Sequence, residues 1–216
     1  MIMLDNVCFA YRGSKPVLNE INTRFFSGDR VGIYAESGQG KTTLARLLNG
    51  FLTPSSGFVH CNDSVSWILG DTSFFHRELS VYDNLVLLCE ILNRDLETVL
   101  LWVNTFAQLQ GFQNKPLKGL TPQQKALLGY SVSLAVKYNW YIADEKLTVG
   151  GRELLPICEA ALEQQLSDSG LIFFSKNSKQ LQTHCNRFFI LKNTKLIECE
   201  SAEMAEAISK QWPKKN

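Results

Sequence analysis

The sequence predicts an α/β domain with a largely parallel sheet, a β-rich start and an inserted helical segment. From residue 31 to residue 199, short apolar runs alternate with helical patterns, which is typical of a parallel sheet covered on both faces. Residues 1–60 instead show strand patterns joined by polar turns, and residues from about 72 to 119 show helical periodicity with little strand signal. We expect one domain over 1–216, with a helical subdomain inserted at about 72–119.

Each element is predicted from its period and its flanking residues. Short apolar or alternating runs bounded by turn residues predict strands at Met3–Phe9, Ile21–Phe26, Val31–Tyr34, the segment after Gly57, Trp140–Ala143, Gly170–Phe174, Arg187–Leu191 and Lys195–Cys199. Apolar residues recurring every three or four positions predict helices at Lys41–Leu48, Val81–Asn93, Leu96–Leu109, Pro122–Val136, Leu154–Ser167 and Ser201–Ile208. Thr121 and Gln124 have the spacing of a capping box at the start of one helix.

Composition excludes several classes of function. The formal net charge is +1, which does not favour a nucleic-acid partner. The apolar runs are of strand length and fall short of the ~18–20 residues that span a bilayer, so any membrane pore must come from another chain. The six cysteines are scattered without a metal-binding spacing, which favours reduced thiols.

A phosphate-binding loop lies between the strand ending at Tyr34 and the helix starting at Lys41. Glycines let backbone N–H groups turn toward phosphate oxygens, and the following helix presents its positive N-terminal end. Lys41 would contact the β- and γ-phosphates, and the Thr42 hydroxyl would bind Mg²⁺. The predicted nucleotide-binding residues of this loop are Glu36, Ser37, Gly38, Gln39, Gly40, Lys41, Thr42 and Thr43.

Two carboxylates follow the apolar strand Trp140–Ala143. Because parallel strands place their carboxyl ends at one edge of the sheet, Asp144 and Glu145 should lie beside the phosphate loop. Asp144 would hold Mg²⁺, and Glu145 would act as general base toward the attacking water. ATP with Mg²⁺ is therefore the expected cofactor.

With these motifs the chain resembles the nucleotide-binding subunits of ABC transporters, from residue 2 to about 208. Within that family it is similar to capsular polysaccharide exporters, and teichoic-acid and O-antigen exporters are near relatives. The stretches that carry this likeness are Ser66-Trp67, Phe75-His76, Leu79-Ser80, Asp83–Leu85, Ser131–Ala135, Tyr141–Glu145, Val149-Gly150 and Ser175 through Asn186. The resemblance implies a P-loop ABC-type ATPase fold with an N-terminal antiparallel β subdomain and an inserted helical subdomain.

The resemblance also implies an activity, a cellular location and partner proteins. It suggests a transport-coupled ATPase, peripheral on the cytoplasmic face of the inner or plasma membrane. Its partners would be an integral membrane permease subunit and a second ATP-binding subunit, expected to be another copy. Tyr11 would stack on adenine, although a solvent-facing strand tyrosine is the alternative. The segment Phe74–His76 would contact the membrane partner.

Four positions depart from the family pattern. The signature helix start falls on Leu120–Gln124, where Thr121 is either a sensor of a partner subunit's γ-phosphate or only a helix cap. The switch histidine is Lys176, which cannot shuttle a proton as imidazole can. The glutamine that contacts Mg²⁺ is His76, a weaker ligand, and the D-loop aspartate is Gly151.

These departures leave two hypotheses open. The first is an exporter ATPase, of weak activity, for capsular or related cell-surface polysaccharide. The second is a nucleotide-binding subunit with little hydrolysis that gates or scaffolds a transport complex. Glu145 favours the first, whereas Lys176, Gly151 and the altered signature helix start favour the second.

Overall fold

The computed structural model describes residues 1–107, 111–151 and 153–212, and they form two compact units. The first unit contains Met1–Ile68, Tyr138–Leu147 and the chain from Asp168 onward. The second contains Leu69–Lys137 and Thr148–Ser167. The helical insertion predicted at about 72–119 lies inside the second unit, which also extends further along the chain.

The first unit contains both sheets and three helices. Its strands are β1 (Ile2–Phe9), β2 (Leu18–Phe25), β3 (Arg30–Tyr34), β4 (Ser56–Cys61), β5 (Val65–Ile68), β6 (Trp140–Asp144), β7 (Gly170–Ser175), β8 (Arg187–Lys192) and β9 (Lys195–Cys199). Its helices are α1 (Lys41–Leu48), α6 (Ser178–His184) and α7 (Ala202–Gln211). The second unit has α2 (Val81–Leu92), α3 (Leu96–Ala107), a 3₁₀ turn (Leu117–Gly119), α4 (Pro122–Ala135) and α5 (Leu155–Leu166).

The two sheets differ in strand direction. A small antiparallel sheet has the order β2-β1-β4. The larger sheet has the order β5-β6-β7-β3-β8-β9, in which only the last pair is antiparallel. The carboxyl ends of β3, β7 and β6 therefore lie at one edge, where Tyr34 pairs with Ser175 and Asp144 pairs with Phe174.

Strand β3 shows why the central strands are apolar on both faces. Val31 and Ile33 enter a core shared with the antiparallel sheet and α1. On the other face, a Cβ atom on Gly32 would lie 3.3 Å from the Cβ atom of Leu181 in α6, so a larger residue would push that helix away. Because both faces are covered, β3 shows no polar alternation.

The second unit is held by helix caps and a close helix contact. Ser80 caps α2 by accepting a hydrogen bond from the Asp83 N–H at 3.0 Å. A Cβ atom on Gly129 would lie 2.7 Å from the Gly70 carbonyl oxygen, so this position in α4 requires glycine. The Tyr130 hydroxyl of α4 donates to the Cys158 carbonyl of α5 at 3.0 Å, which joins two segments that are distant in sequence.

Two elements were missing from the sequence prediction. Strand β5 has four residues, Val-Ser-Trp-Ile, too few to show a clear alternation. Helix α6 is seven residues long and mostly polar, and Leu181 is its one large buried apolar residue, so it lacks an apolar period. The predicted helix Leu96–Leu109 is described only as far as Ala107, and residues 108–109 lie outside the described part of the chain.

Candidate functional site

The phosphate loop has the backbone that its glycines predict. Gly38 and Gly40 have φ angles of +80° and +98°, a region that residues with a Cβ rarely occupy. A Cβ atom on Gly40 would also lie 2.8 Å from Cγ1 of Val17. Helix α1 starts at Lys41 with no side-chain cap on its first N–H groups. These N–H groups are thus available to an anion.

A groove of about 310 Å³ opens beside this loop. Its lining residues are Tyr11, Val17, Gly38, Gly40, Lys41, Thr42 and Thr43. The Tyr11 hydroxyl lies 3.1 Å from Oγ1 of Thr43, and its ring packs edge-on against Phe9 at 4.9 Å. Tyr11 is 43 % exposed, so an aromatic surface lies at the groove, as a base-stacking role requires. That stacking role stays a prediction.

Lys41 joins the loop to the two carboxylates. Its ammonium group forms an ion pair with Oε1 of Glu145 and lies 3.8 Å from Oδ1 of Asp144. It also donates to the Ala35 carbonyl at 3.4 Å. The side chain of Lys41 is only 10 % exposed. The cation and both acids thus meet at the carboxyl edge of the parallel sheet.

Asp144 has the character of an unsatisfied cation ligand. Its Oδ1 atom is buried, lies 3.8 Å from the Lys41 ammonium group and accepts no hydrogen bond from the residues that the structure describes. Burial raises the pKa of Asp144, the nearby Lys41 opposes that rise, and the charge of Glu145 adds to it. An orphaned buried carboxylate oxygen fits a hard divalent cation such as Mg²⁺. Since no cluster of three acidic, His or Cys ligands exists among the described residues, phosphate and water would have to complete the coordination shell.

We expect Asp144→Asn to leave the nucleotide-free domain at least as stable as wild type. A raised carboxylate pKa in the folded state means that stability falls as pH rises from the ordinary value, ~4, through the raised one. The neutral amide of asparagine removes this loss of stability at neutral pH. Thermal unfolding at pH 4 and pH 7 tests it, with the exposed Asp5→Asn as control. A melting temperature below wild type at pH 7 would contradict the account of Asp144.

Glu145 sits at a conformationally unusual position. Its φ is +62°, which a non-glycine residue adopts mainly where the surroundings hold it. Its N–H donates to the Phe174 carbonyl at 2.8 Å, and its Oε2 accepts from the Lys176 N–H at 3.5 Å. Lys176 follows β7 with an exposed side chain. The predicted base and the switch position are thus neighbours.

The remaining loop side chains differ in orientation. Ser37 and Thr42 are exposed, and Thr42 lines the groove. The Glu36 carboxylate instead accepts a hydrogen bond from Ser209 of α7, and Gln39 accepts one from the Asn193 N–H. The prediction that these two residues bind the cofactor can therefore concern their backbone, not their side chains as oriented here.

Several of the residues singled out in the sequence belong to the second unit. Thr121 and Gln124 form the predicted capping box, with N···O distances of 3.2 and 2.9 Å. His76 is exposed, and its backbone exchanges two hydrogen bonds with the buried Asn84 side chain. In the segment Phe74–His76, predicted to contact a membrane partner, Phe75 is 6 % exposed and packs against Phe74, so its side chain is not offered at the surface. The contact itself stays a prediction.

Comparison with known proteins decides the family. The sequence profile described as "ABC transporter" matches residues 18–148. The chain belongs to the ABC transporter family. It is 30 % identical to the ATP-binding protein BexA of Haemophilus influenzae, over 95 % of this chain and 96 % of BexA. It is 29 % identical, with the same coverage, to the capsule polysaccharide export ATP-binding protein CtrD of Neisseria meningitidis.

The solved structure of an ATP-binding subunit of an ABC transporter has the same fold as this ABC-family chain. The match has a TM-score of 0.79 and 14 % identity, over 97 % of this chain and 93 % of that one. The predicted fold, an ABC-type ATPase domain with an antiparallel β subdomain and added helices, is confirmed. Within the described residues, no helix has the length and apolarity needed to cross a membrane.

Sequence reasoning assigned no task to Asn84, Lys192 or Ser209. The Asn84 side chain fixes the backbone of the loop at His76, and its only sequence signal is a polar residue at a position of α2 that faces inward. Lys192 and Ser209 meet Glu36 across more than 150 residues of sequence. No local pattern predicts such a contact.

Proposed function

We propose that this chain is the ATP-binding and ATP-hydrolysing subunit of an ABC exporter for capsular or related cell-surface polysaccharide. The main observation is the meeting of Lys41 with Asp144 and Glu145 at the edge of the parallel sheet. The similarity to CtrD, a capsule polysaccharide export protein, covers 95 % of the chain and supports the cargo class.

The residues present fit ATP with Mg²⁺. The uncapped N-terminus of α1 and the backbone of Gly38 and Gly40 would bind phosphate oxygens. Thr42 and Asp144 would hold the Mg²⁺ ion, which neutralises charge on the phosphates.

Binding of phosphates to the loop would change the anion that Lys41 contacts. Lys41 then has a stronger anionic partner than Glu145, to which it is paired now. The released Glu145 carboxylate can accept a proton from the attacking water.

We expect slow ATP hydrolysis because Lys176, Gly151 and the signature helix depart from the family pattern. Pro122 and Gln123 replace the two signature glycines, which removes one N–H and obstructs close approach, and the Thr121 hydroxyl already caps its own helix. Loss of a single transition-state contact costs about 10²–10³ in rate. The alternative, a gating subunit with little hydrolysis, rests on these same positions.

We expect Lys176→His to raise the rate of ATP hydrolysis by about tenfold or more, because an imidazole can exchange protons at neutral pH. The rate should be measured at saturating ATP. The matched control is Lys179→His, an exposed lysine three residues further on. If Lys176→His is no faster than wild type, proton transfer at the switch position does not limit turnover.

Partners and location follow from the proposed function. An integral membrane permease subunit would form the pore, and a second copy of this chain would complete a dimer around two ATP molecules. The complex would place the chain on the cytoplasmic face of the inner or plasma membrane. Thr121 would then face the partner subunit's nucleotide. His76 stands where the family resemblance places the glutamine that contacts Mg²⁺, and its imidazole would accept a hydrogen bond from a metal-bound water.

Deletion of the gene in its source cells tests the transport role. Surface polysaccharide should fall while lipid-linked polysaccharide accumulates inside. Wild type should restore export, whereas Lys41→Ala should not. Unchanged surface polysaccharide in the deletion strain would rule out the proposed cargo class.

A further inference from the structure

Glu36 places an acidic side chain inside a loop shaped to hold phosphate groups. It lies two residues before Gly38 and five before Lys41. A carboxylate close to the phosphates of ATP repels them, and the repulsion strengthens where protein partly excludes water. A loop that binds ATP must therefore neutralise this charge or hold it away.

At Glu36 the structure shows both a nearby cation and a hydrogen bond that holds the carboxylate in place. The Ser209 hydroxyl donates to Oε1 of Glu36 at 2.7 Å. The Lys192 ammonium group lies 3.7 Å from the same oxygen and donates to Ser209 Oγ at 3.0 Å. It also donates to the Ser209 carbonyl. The side chain of Lys192 is 12 % exposed and Ser209 is 3 % exposed, whereas the Glu36 carboxylate is 51 % exposed. Lys192 and Ser209 therefore hold Glu36 from the protein side, and solvent screens part of its charge.

The hairpin that carries Lys192 is anchored to the phosphate loop at a second point. Asn193 and Thr194 have φ angles of +47° and +69°, the backbone of a tight two-residue turn between β8 and β9. The Asn193 N–H donates to Oε1 of Gln39 at 3.0 Å. The turn therefore holds Lys192 at a defined place beside the loop.

We infer that Lys192 and Ser209 are positioning residues for the ATP site: Lys192 neutralises Glu36, and Ser209 holds its carboxylate toward α7. The inference rests on the proposed ATP binding. Both residues act on the nucleotide through Glu36. Removal of Lys192 takes away the positive charge that lies 3.7 Å from Glu36, so Glu36 repels the phosphates more strongly. Removal of the charge on Glu36 makes the charge of Lys192 dispensable for ATP binding.

Four proteins test the inference by calorimetric titration with ATP and Mg²⁺: wild type, Lys192→Met, Glu36→Gln and the double variant. Lys192→Met should bind ATP about tenfold more weakly, and the deficit should shrink in high salt. Glu36→Gln should bind at least as tightly as wild type. The double variant should return to within about threefold of wild type, since the neutral amide repels no phosphate.

Lys195→Met is the matched control, because Lys195 lies on the same hairpin and pairs with the exposed Glu20; its ATP affinity should not change. A double variant as weak as Lys192→Met would show that Lys192 acts by packing, and would overturn the inference alone. If Lys192→Met fails to fold, the ATP affinity of Glu36→Gln is the test. Weaker binding of ATP by Glu36→Gln than by wild type would overturn the inference. Absence of ATP binding by wild type contradicts the proposed function itself.

Discussion

Glu145→Gln lowers the rate of ATP hydrolysis by about 10²-fold or more, the contribution typical of a general base. Glutamine keeps the size of the side chain and can still accept the hydrogen bond from the Lys176 N–H, but it cannot take a proton from water. The rate is measured at saturating ATP, with the membrane partner present.

The ATP affinity of Glu145→Gln, unlike its rate of hydrolysis, should not fall. The Glu145 carboxylate forms an ion pair with Lys41 and so competes with phosphate for it, and the neutral amide of glutamine competes less well. The variant should therefore bind ATP as tightly as wild type or more tightly. Glu159→Gln changes an exposed acid on α5 and serves as control. Equal hydrolysis rates above background for wild type and Glu145→Gln would remove Glu145 as the catalytic base.

Lys41→Ala weakens ATP binding by about 10- to 150-fold, the range for loss of a hydrogen bond between charged groups. The buried ammonium group is the one cation that the described structure places against both Asp144 and Glu145. Its removal leaves two acids facing the incoming phosphates, so repulsion adds to the lost contact. Titration with ATP and Mg²⁺ measures the effect.

The control for this variant is Lys195→Ala, which removes an exposed lysine from the same unit. Its ATP affinity should equal that of wild type. Thermal unfolding without nucleotide checks that Lys41→Ala is folded, because the loss of its ion pair lowers stability on its own. If folded Lys41→Ala binds ATP as wild type does, the phosphate loop does not bind ATP as proposed.

The sequence predicts those parts of the fold whose signal is local. The strand, glycine loop and helix from Val31 to Leu48 are in place, as are the capping box at Thr121 and the acids that end β6. These features have a period, a turn residue or a motif within a few positions. Parallel topology then follows, and it brings Asp144 and Glu145 to the loop as expected.

Side-chain directions within the loop could not be predicted in this way. Glu36 turns toward α7 because Lys192 and Ser209 are there, and both lie far along the sequence. Phe75 is buried, although the family resemblance placed a contact with a membrane partner at the segment Phe74–His76. Burial of this kind depends on packing between distant segments, which local periodicity does not report.

The most direct test of the account mixes excess wild-type chain with limiting radiolabelled ATP and Mg²⁺, and follows bound ATP and released ADP over time. We predict that most ATP is bound before any ADP forms, and that ADP then accumulates slowly and far more slowly still with Glu145→Gln. ATP that stays unbound at every protein concentration would contradict the central claim that this loop holds ATP.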